Sequence, residues 1–121
     1  MDFKANQPIF VQIAERLNDE ILSGLYPVGE RIPGVRDYGA LLEVNVNTVV
    51  KSFDYLAQQG IIFSKRGMGY FVADEARDII LEARRKQFRE TTLPDFFKQI
   101  RQLHIDIHEI VEAYESLPAE D

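Results

Sequence analysis

Arg36, Asn45, Asn47, Thr48, Lys51, Lys65, Arg66 and Gly67 are the residues whose types and spacing could do chemistry in this chain. They offer charge and hydrogen bonding rather than bond-making. Arginine can fork onto a phosphate or a guanine edge, and asparagine and threonine can meet base edges or phosphates. Lysine suits a phosphate, and a glycine lets its backbone approach one closely. The set spans two short stretches, Arg36 to Lys51 and Lys65 to Gly67, so something must bring them to one surface.

Each residue also has an ordinary structural reading. Arg36 can pair with Asp37 or Glu43 on a helix surface. Asn45 is a good helix N-cap, and Thr48 can support the same helix start. Lys51 alone is a solvated lysine. Lys65 and Arg66 alone protect an edge strand, and Gly67 and Gly69 serve a turn. The joint order of these residues carries the argument.

The elements that must position them follow from periodicity. Pro8 opens a helix whose apolar stripe is Ile9, Ile13, Leu17, Ile21 and Leu25, with Gly24 as its end and Tyr26–Gly29 as a turn. A second, short helix is predicted over about 35–42, with Val35, Tyr38, Leu41 and Leu42 inward. A third runs over about 46–59, capped by Asn45. Its apolar side is Val46, Val49, Val50, Phe53, Leu56 and Ala57, and Gly60 ends it. Periodicity assigns Val50 to the core, with contact to a thymine methyl as the alternative. Ile61–Lys65 and Tyr70–Val72 then read as strands joined through Arg66-Gly67-Met68-Gly69, a hairpin with a cationic tip.

From about Asp74 the pattern is helical again, to near Thr92. A last helix with Pro94 early in it is predicted to reach about Glu115. Its residues Leu93, Phe96, Ile100, Leu103, Ile107, Ile110, Tyr114 and Leu117 form a heptad seam. Phe97, Ile105 and Val111 give the same helix a second apolar face, which argues for a partner chain. The expected dimerisation residues are Phe96, Phe97, Ile100, Leu103, Ile107, Ile110 and Tyr114. The expected joint is near residue 74, dividing 1–73 from 74–121.

Composition narrows the class. The 121 residues carry 45% hydrophobic and 28% charged side chains, an ordinary globular mix. No apolar run is long enough for a membrane helix, and no secretory signal opens the chain. With no cysteine, disulfides and thiol catalysis are excluded, which suits a cytoplasmic setting. The net charge of −6 speaks against a polyanionic partner. Within 31–72, however, Arg31, Arg36, Lys51, Lys65 and Arg66 outnumber Asp37, Glu43 and Asp54. His104 and His108 stand four apart, a spacing that can share a metal. Beside an apolar seam they read as packing or surface residues. No metal, cofactor or catalytic residue is assigned.

Two helices, a tight turn, a third helix and a glycine hairpin make a winged helix-turn-helix. The fold expected is mainly α with a small β wing, followed by a two-helix dimerisation segment. Specific residues also resemble the GntR family of bacterial regulators. They are Pro8-Ile9-Phe10-Val11-Gln12-Ile13, Pro27 to Arg36, Val44 to Lys51, Gly60-Ile61-Ile62 and Arg66 to Val72. The match covers about 8–73, and the short tail looks most like the YtrA branch.

That resemblance implies DNA contacts from Arg36, Asn45, Asn47, Thr48, Lys51, Arg66 and Gly67. It implies a repressor acting as a homodimer on double-stranded DNA, with no membrane partner and no effector that the sequence names. The chain departs from the family at Gly34, where serine is frequent, and at Val46 and Val50, where arginines are frequent, so those contacts do not carry over. A winged helix can also be a protein-interaction module, which the acidic charge fits. An enzyme is the weakest reading.

Overall fold

Pro8 stands in an extended conformation immediately before helix α1 (Ile9–Leu22) and caps it without a side-chain hydrogen bond. The computed structural model describes residues 2–120. After α1 come α2 (Val35–Leu42), α3 (Val46–Gln58), β1 (Ile62–Lys65) and β2 (Gly69–Val72). Helix α4 (Ala76–Gln87), a π-helical turn (Phe88–Thr92), α5 (Leu93–Gln102) and α6 (Ile107–Glu115) complete the order. The chain divides into two compact units, Met1–Glu82 and Ala83–Asp121.

The core of the first unit is one cluster. Ile13, Leu17 and Ile21 of α1 meet Tyr38 and Leu42 of α2 and Val49, Phe53 and Leu56 of α3. Ile62 and Val72 close it from the sheet, and Ala76 and Ile80 from α4. Each large side chain fully buried here contributes roughly 1.5–3 kcal/mol relative to exposure. Arg77 ties α4 to the end of α1 by donating to the carbonyls of Ile21 (3.2 Å), which also accepts the Gly24 N–H, and Leu22 (2.7 Å).

β1 and β2 pair antiparallel, with Ile62 opposite Val72 and Lys65 opposite Gly69. The Met68 N–H closes the tip onto the Lys65 carbonyl at 2.9 Å. A third extended piece joins them. Arg31 bridges Phe71, the Ile32 N–H donates to the Tyr70 carbonyl, and the Val72 N–H donates to that of Glu30. The sequence marks only a turn before this segment, because an extended piece of so few residues has no periodicity to detect.

The expected apolar stripes need trimming. Ile9 is exposed at the mouth of α1 and Leu25 lies beyond its end, so the buried stripe is Ile13, Leu17 and Ile21. Leu41 is 61% exposed, and the inward residues of α2 are Tyr38, Gly39 and Leu42, with Val35 half-buried against the core as expected. On α3 the buried face is Val49, Ser52, Phe53 and Leu56. Val50 is exposed rather than core, since a 100° step from Val49 carries it off the inward face.

The second unit revises the expected helix boundaries. No break occurs at Thr91-Thr92. Helical backbone continues from α4 through the π turn into α5. Pro94 has no N–H to donate to the preceding turn, and the helix widens just before it.

The break falls instead at 103–106, inside the predicted heptad seam. His104 is left-handed (φ 55°) and the Ile105 N–H reaches back to the Ile100 carbonyl at 3.0 Å, a helix stop of the Schellman kind. Asp106 then caps α6 by accepting from the His108 N–H at 2.8 Å. His104 and His108 therefore lie on either side of a corner, and His108 Nδ1 is 2.8 Å from the Asp106 carboxylate. The backbone hydrogen bond from His108 first, and then the ring contact, hold the Asp106 carboxyl below its usual range. Among the described residues, no helix is long and apolar enough to cross a membrane.

Candidate nucleic-acid interface

The start of α3 is built by a local device. The Asn45 side-chain oxygen accepts from the Asn47 N–H at 2.8 Å, and backbone donors of Thr48 and Val49 return to the Asn45 carbonyl. The cap fixes where the first turn begins. With Val49, Phe53 and Leu56 turned inward, Asn47 and Lys51 are exposed and Thr48 is half-buried. Asn45 spends its side-chain oxygen on this cap.

A second contact fixes α3 against α1. The Ser52 hydroxyl, fully buried, donates to the Phe10 carbonyl at 2.7 Å and lies 3.1 Å from the Thr48 carbonyl. The Phe10 ring packs edge-on to Tyr55, with centroids 5.6 Å apart, and carries the Lys51 ammonium 4.4 Å from its centroid. Pro8, Ile9 and Phe10 thus line an open groove with Asn47, Thr48 and Lys51. Gln12, also buried, holds the approach to this groove. Its side chain accepts from the Lys4 N–H (2.7 Å) and donates to the Lys4 and Gln7 carbonyls (2.8 Å each).

Arg36 lies in the first turn of α2 with its side chain exposed. Two turns of that helix are held by Tyr38, which is buried and donates its hydroxyl to the Glu20 carboxylate of α1. Burial first, then the bond to Glu20, pushes the Tyr38 hydroxyl well above the ordinary tyrosine range. Lys65, Arg66 and Gly67 share the wing hairpin, and all three are exposed. Gly67 (φ +75°) has open space around it.

The eight candidate residues therefore fall on three places: the first turn of α2, the cap and first two turns of α3, and the wing tip. The sequence places Phe10 and Gln12 in the family-resembling stretch without assigning either a role at this site, and it does not single out Ser52. Ser52 has a signal, a small polar residue three positions from both Val49 and Tyr55 on the inward side of α3. The roles of Phe10 and Gln12 depend on how α1 crosses α3 and how the chain enters α1.

Comparison with known proteins agrees with this architecture. Residues 10–72 match the family described as bacterial regulatory proteins, gntR family. The transcriptional repressor YtrA of Bacillus subtilis is 30% identical over 108 residues, 89% of this chain and 77% of that protein. A GntR-family transcriptional regulator from Bacteroides thetaiotaomicron has a similar structure (TM-score 0.78, 42% identity), covering 89% of this chain and 94% of that one. The DNA-binding domain of AraR in complex with operator ORX1 also aligns (TM-score 0.55, 26% identity), covering 60% of this chain and 93% of that domain. With its three-helix core, its β wing and this match, the chain belongs to the gntR family of bacterial regulatory proteins and is a DNA-binding transcriptional regulator of the winged helix-turn-helix type.

Proposed function

We propose that this regulator is a repressor that binds an inverted-repeat operator in double-stranded DNA as a homodimer. Residues 1–73 act as the DNA-binding domain and 74–121 as the dimerisation segment. The observation that carries the reading is the start of α3, its first two turns. There a capped helix start presents Asn47 and Lys51 outward, while the opposite face is locked into the core. A helix so presented fits the major groove, where base edges are distinguishable.

In this reading Asn47 and Thr48 meet base edges, and Asn45 contributes chiefly by capping. Arg36 forks onto a guanine or a phosphate. Lys51, Lys65 and Arg66 neutralise phosphates, and Gly67 lets the wing backbone come close. Exposed Val50 is available to a thymine methyl. Two relatives support the direction of the reading: YtrA is a repressor, and the AraR domain is bound to its operator.

The dimer is supported by apolar surface on the second unit. Phe88, Phe96, Phe97, Leu103, Ile107, Val111, Tyr114 and Leu117 are all exposed there, and single-chain proteins rarely leave so much apolar surface together. Phe96, Phe97, Leu103, Ile107 and Tyr114 form the interface in this reading, with half-buried Ile110 at its margin; Ile100, expected there from the heptad spacing, is instead buried within its own chain. Two recognition helices on one side of the duplex require half-sites about one turn (~10 bp) apart, or a multiple. The protein works in the cytoplasm by binding rather than catalysis, and no effector is assigned.

The test is selection of bound sequences from random duplex DNA, with an Arg36→Ala/Asn47→Ala double variant beside the wild type. An enriched inverted repeat that the double variant loses is the expected result. No enrichment at low salt, from folded dimeric protein, overturns the proposal.

A further inference from the structure

The outer face of the wing carries a cationic and aromatic arrangement of which the contacts above use only Lys65, leaving Arg31, Phe63 and Phe71 without a role. Strand alternation turns Ile62 and Val72 into the core and leaves Phe63, Lys65 and Phe71 on the other side. Phe63 and Phe71 are cross-strand partners whose rings stack at 5.9 Å with a 24° interplanar angle. The Lys65 ammonium stands 4.5 Å from the Phe71 centroid and 5.8 Å from that of Phe63. Arg31 reaches the same face from outside the hairpin, because its backbone bridges Phe71. Its guanidinium lies across Gly69, where an added Cβ would sit 3.0 Å from Nε. Gly69 (φ +98°) suits its left-handed backbone, and a Cβ there would press on the arginine side chain over it.

We propose that this face is a further DNA-contact surface, a phosphate clamp formed by Arg31 and Lys65, with Phe63 and Phe71 as positioning residues. The proposal rests on the DNA-binding reading above. Its occupant is the phosphodiester backbone of the duplex whose groove α3 reads. In a chain of net charge −6, the wing and the segment bridged to it gather Arg31, Lys65 and Arg66. Such a concentration of cations is complementary to a polyanion. The guanidinium fork matches phosphate oxygens two at a time. The stacked rings hold a flexible lysine near one position while leaving its charge exposed. A phosphate clamp carries no base preference, so it adds affinity to every sequence.

Fluorescence anisotropy across a salt series tests this, using the full chain with its selected operator and a scrambled duplex of equal length. Arg31→Gln weakens both by a similar factor, about three- to tenfold, and makes the log–log salt slope shallower by about 1.8, one phosphate contact being lost in each protomer. Arg31→Lys restores the slope. Phe71→Leu weakens binding, Phe71→Tyr does not, and Phe71→Leu adds no loss on top of Lys65→Gln. Arg31→Gln matching the wild type in affinity and slope, while Arg36→Ala/Asn47→Ala is impaired, overturns the clamp and leaves the regulator reading intact. Equal loss from Phe71→Leu with and without Lys65 overturns the positioning role. Wild-type protein binding neither duplex overturns the DNA-binding reading, and the clamp with it.

Discussion

The Lys51 ammonium rests 4.4 Å from the centroid of the Phe10 ring, so a cation of the third helix is seated on the first turn of α1. The seat is itself fixed, because the Phe10 carbonyl receives the buried Ser52 hydroxyl one residue after Lys51. Removing the charge leaves this packing in place. Lys51→Gln is expected to keep wild-type stability and to weaken operator and scrambled duplexes alike. The salt slope should become shallower by about 1.8 for the two phosphates lost, one in each protomer. A loss confined to the operator would mean that Lys51 reads a base instead.

Asn45 should matter to folding before it matters to DNA. Its side-chain oxygen satisfies the Asn47 N–H, and N-cap asparagine to alanine costs about 1 kcal/mol. Asn45→Ala is expected to lower urea-unfolding stability by that amount, while Asn45→Asp and Asn45→Ser keep most of it. If Asn45→Ser restores stability but not operator affinity, the amide also touches DNA. If Asn45→Ala unfolds like the wild type, the cap is not what fixes the start of α3.

Phe97 and Ile107 line an apolar recess with Ile100, Arg101 and Ile105 at the corner between α5 and α6. Both are more than two-fifths exposed, so a charge at either spares the packing within its own chain. In a dimer built on this unit the same charge lies in the interface, and burying it unpaired is costly. Phe97→Glu and Ile107→Glu are each expected to shift sedimentation equilibrium toward monomer by at least about tenfold in dissociation constant, equivalent to roughly 1.4 kcal/mol. Far-UV circular dichroism should be unchanged. Dimers of wild-type affinity in both variants would move the interface elsewhere.

Much of the fold was legible in the sequence, for reasons that also explain where legibility stopped. Helix α2, the Asn45 cap, α3 and the hairpin follow from short-range signals: a capping residue, a change of period from helix to strand, and paired glycines. The corner at 103–106 was missed because the apolar spacing runs through it uninterrupted. The overlooked sign was Asp106 with Glu109 three residues on, the pattern of a helix start. The apparent stop at Thr91-Thr92 and Pro94 misled because a π turn can absorb a proline that an α-helix cannot. Val50 and Leu41 were misassigned because period alone gives the direction of a stripe to within a residue, and each lies one step from its edge. Residues that depend on one element crossing another, such as Arg31 over Gly69 or Phe10 under Lys51, leave no mark in a single sequence.

Alkaline stability offers a readout of the α1–α2 joint that braces Arg36. The Tyr38 hydroxyl is buried and donates to Glu20, whose carboxylate is also 3.8 Å from Arg16. In the folded chain its pKa is raised above the ordinary 10.0. Below pH 10 both folded and unfolded Tyr38 keep the proton, so the full contribution is present. Above it the unfolded chain releases the proton while the folded chain retains it, and stability falls at up to about 1.4 kcal/mol per pH unit. Tyr26 also has a raised pKa, so the variant is needed to isolate Tyr38. Tyr38→Phe is expected to be less stable at neutral pH by about 1–2 kcal/mol, for the lost bond to a charged acceptor. It should also decline less steeply than the wild type in urea unfolding above pH 10. Parallel decline of the two proteins would mean that Tyr38 ionises as readily folded as unfolded, and that the joint is held by packing alone.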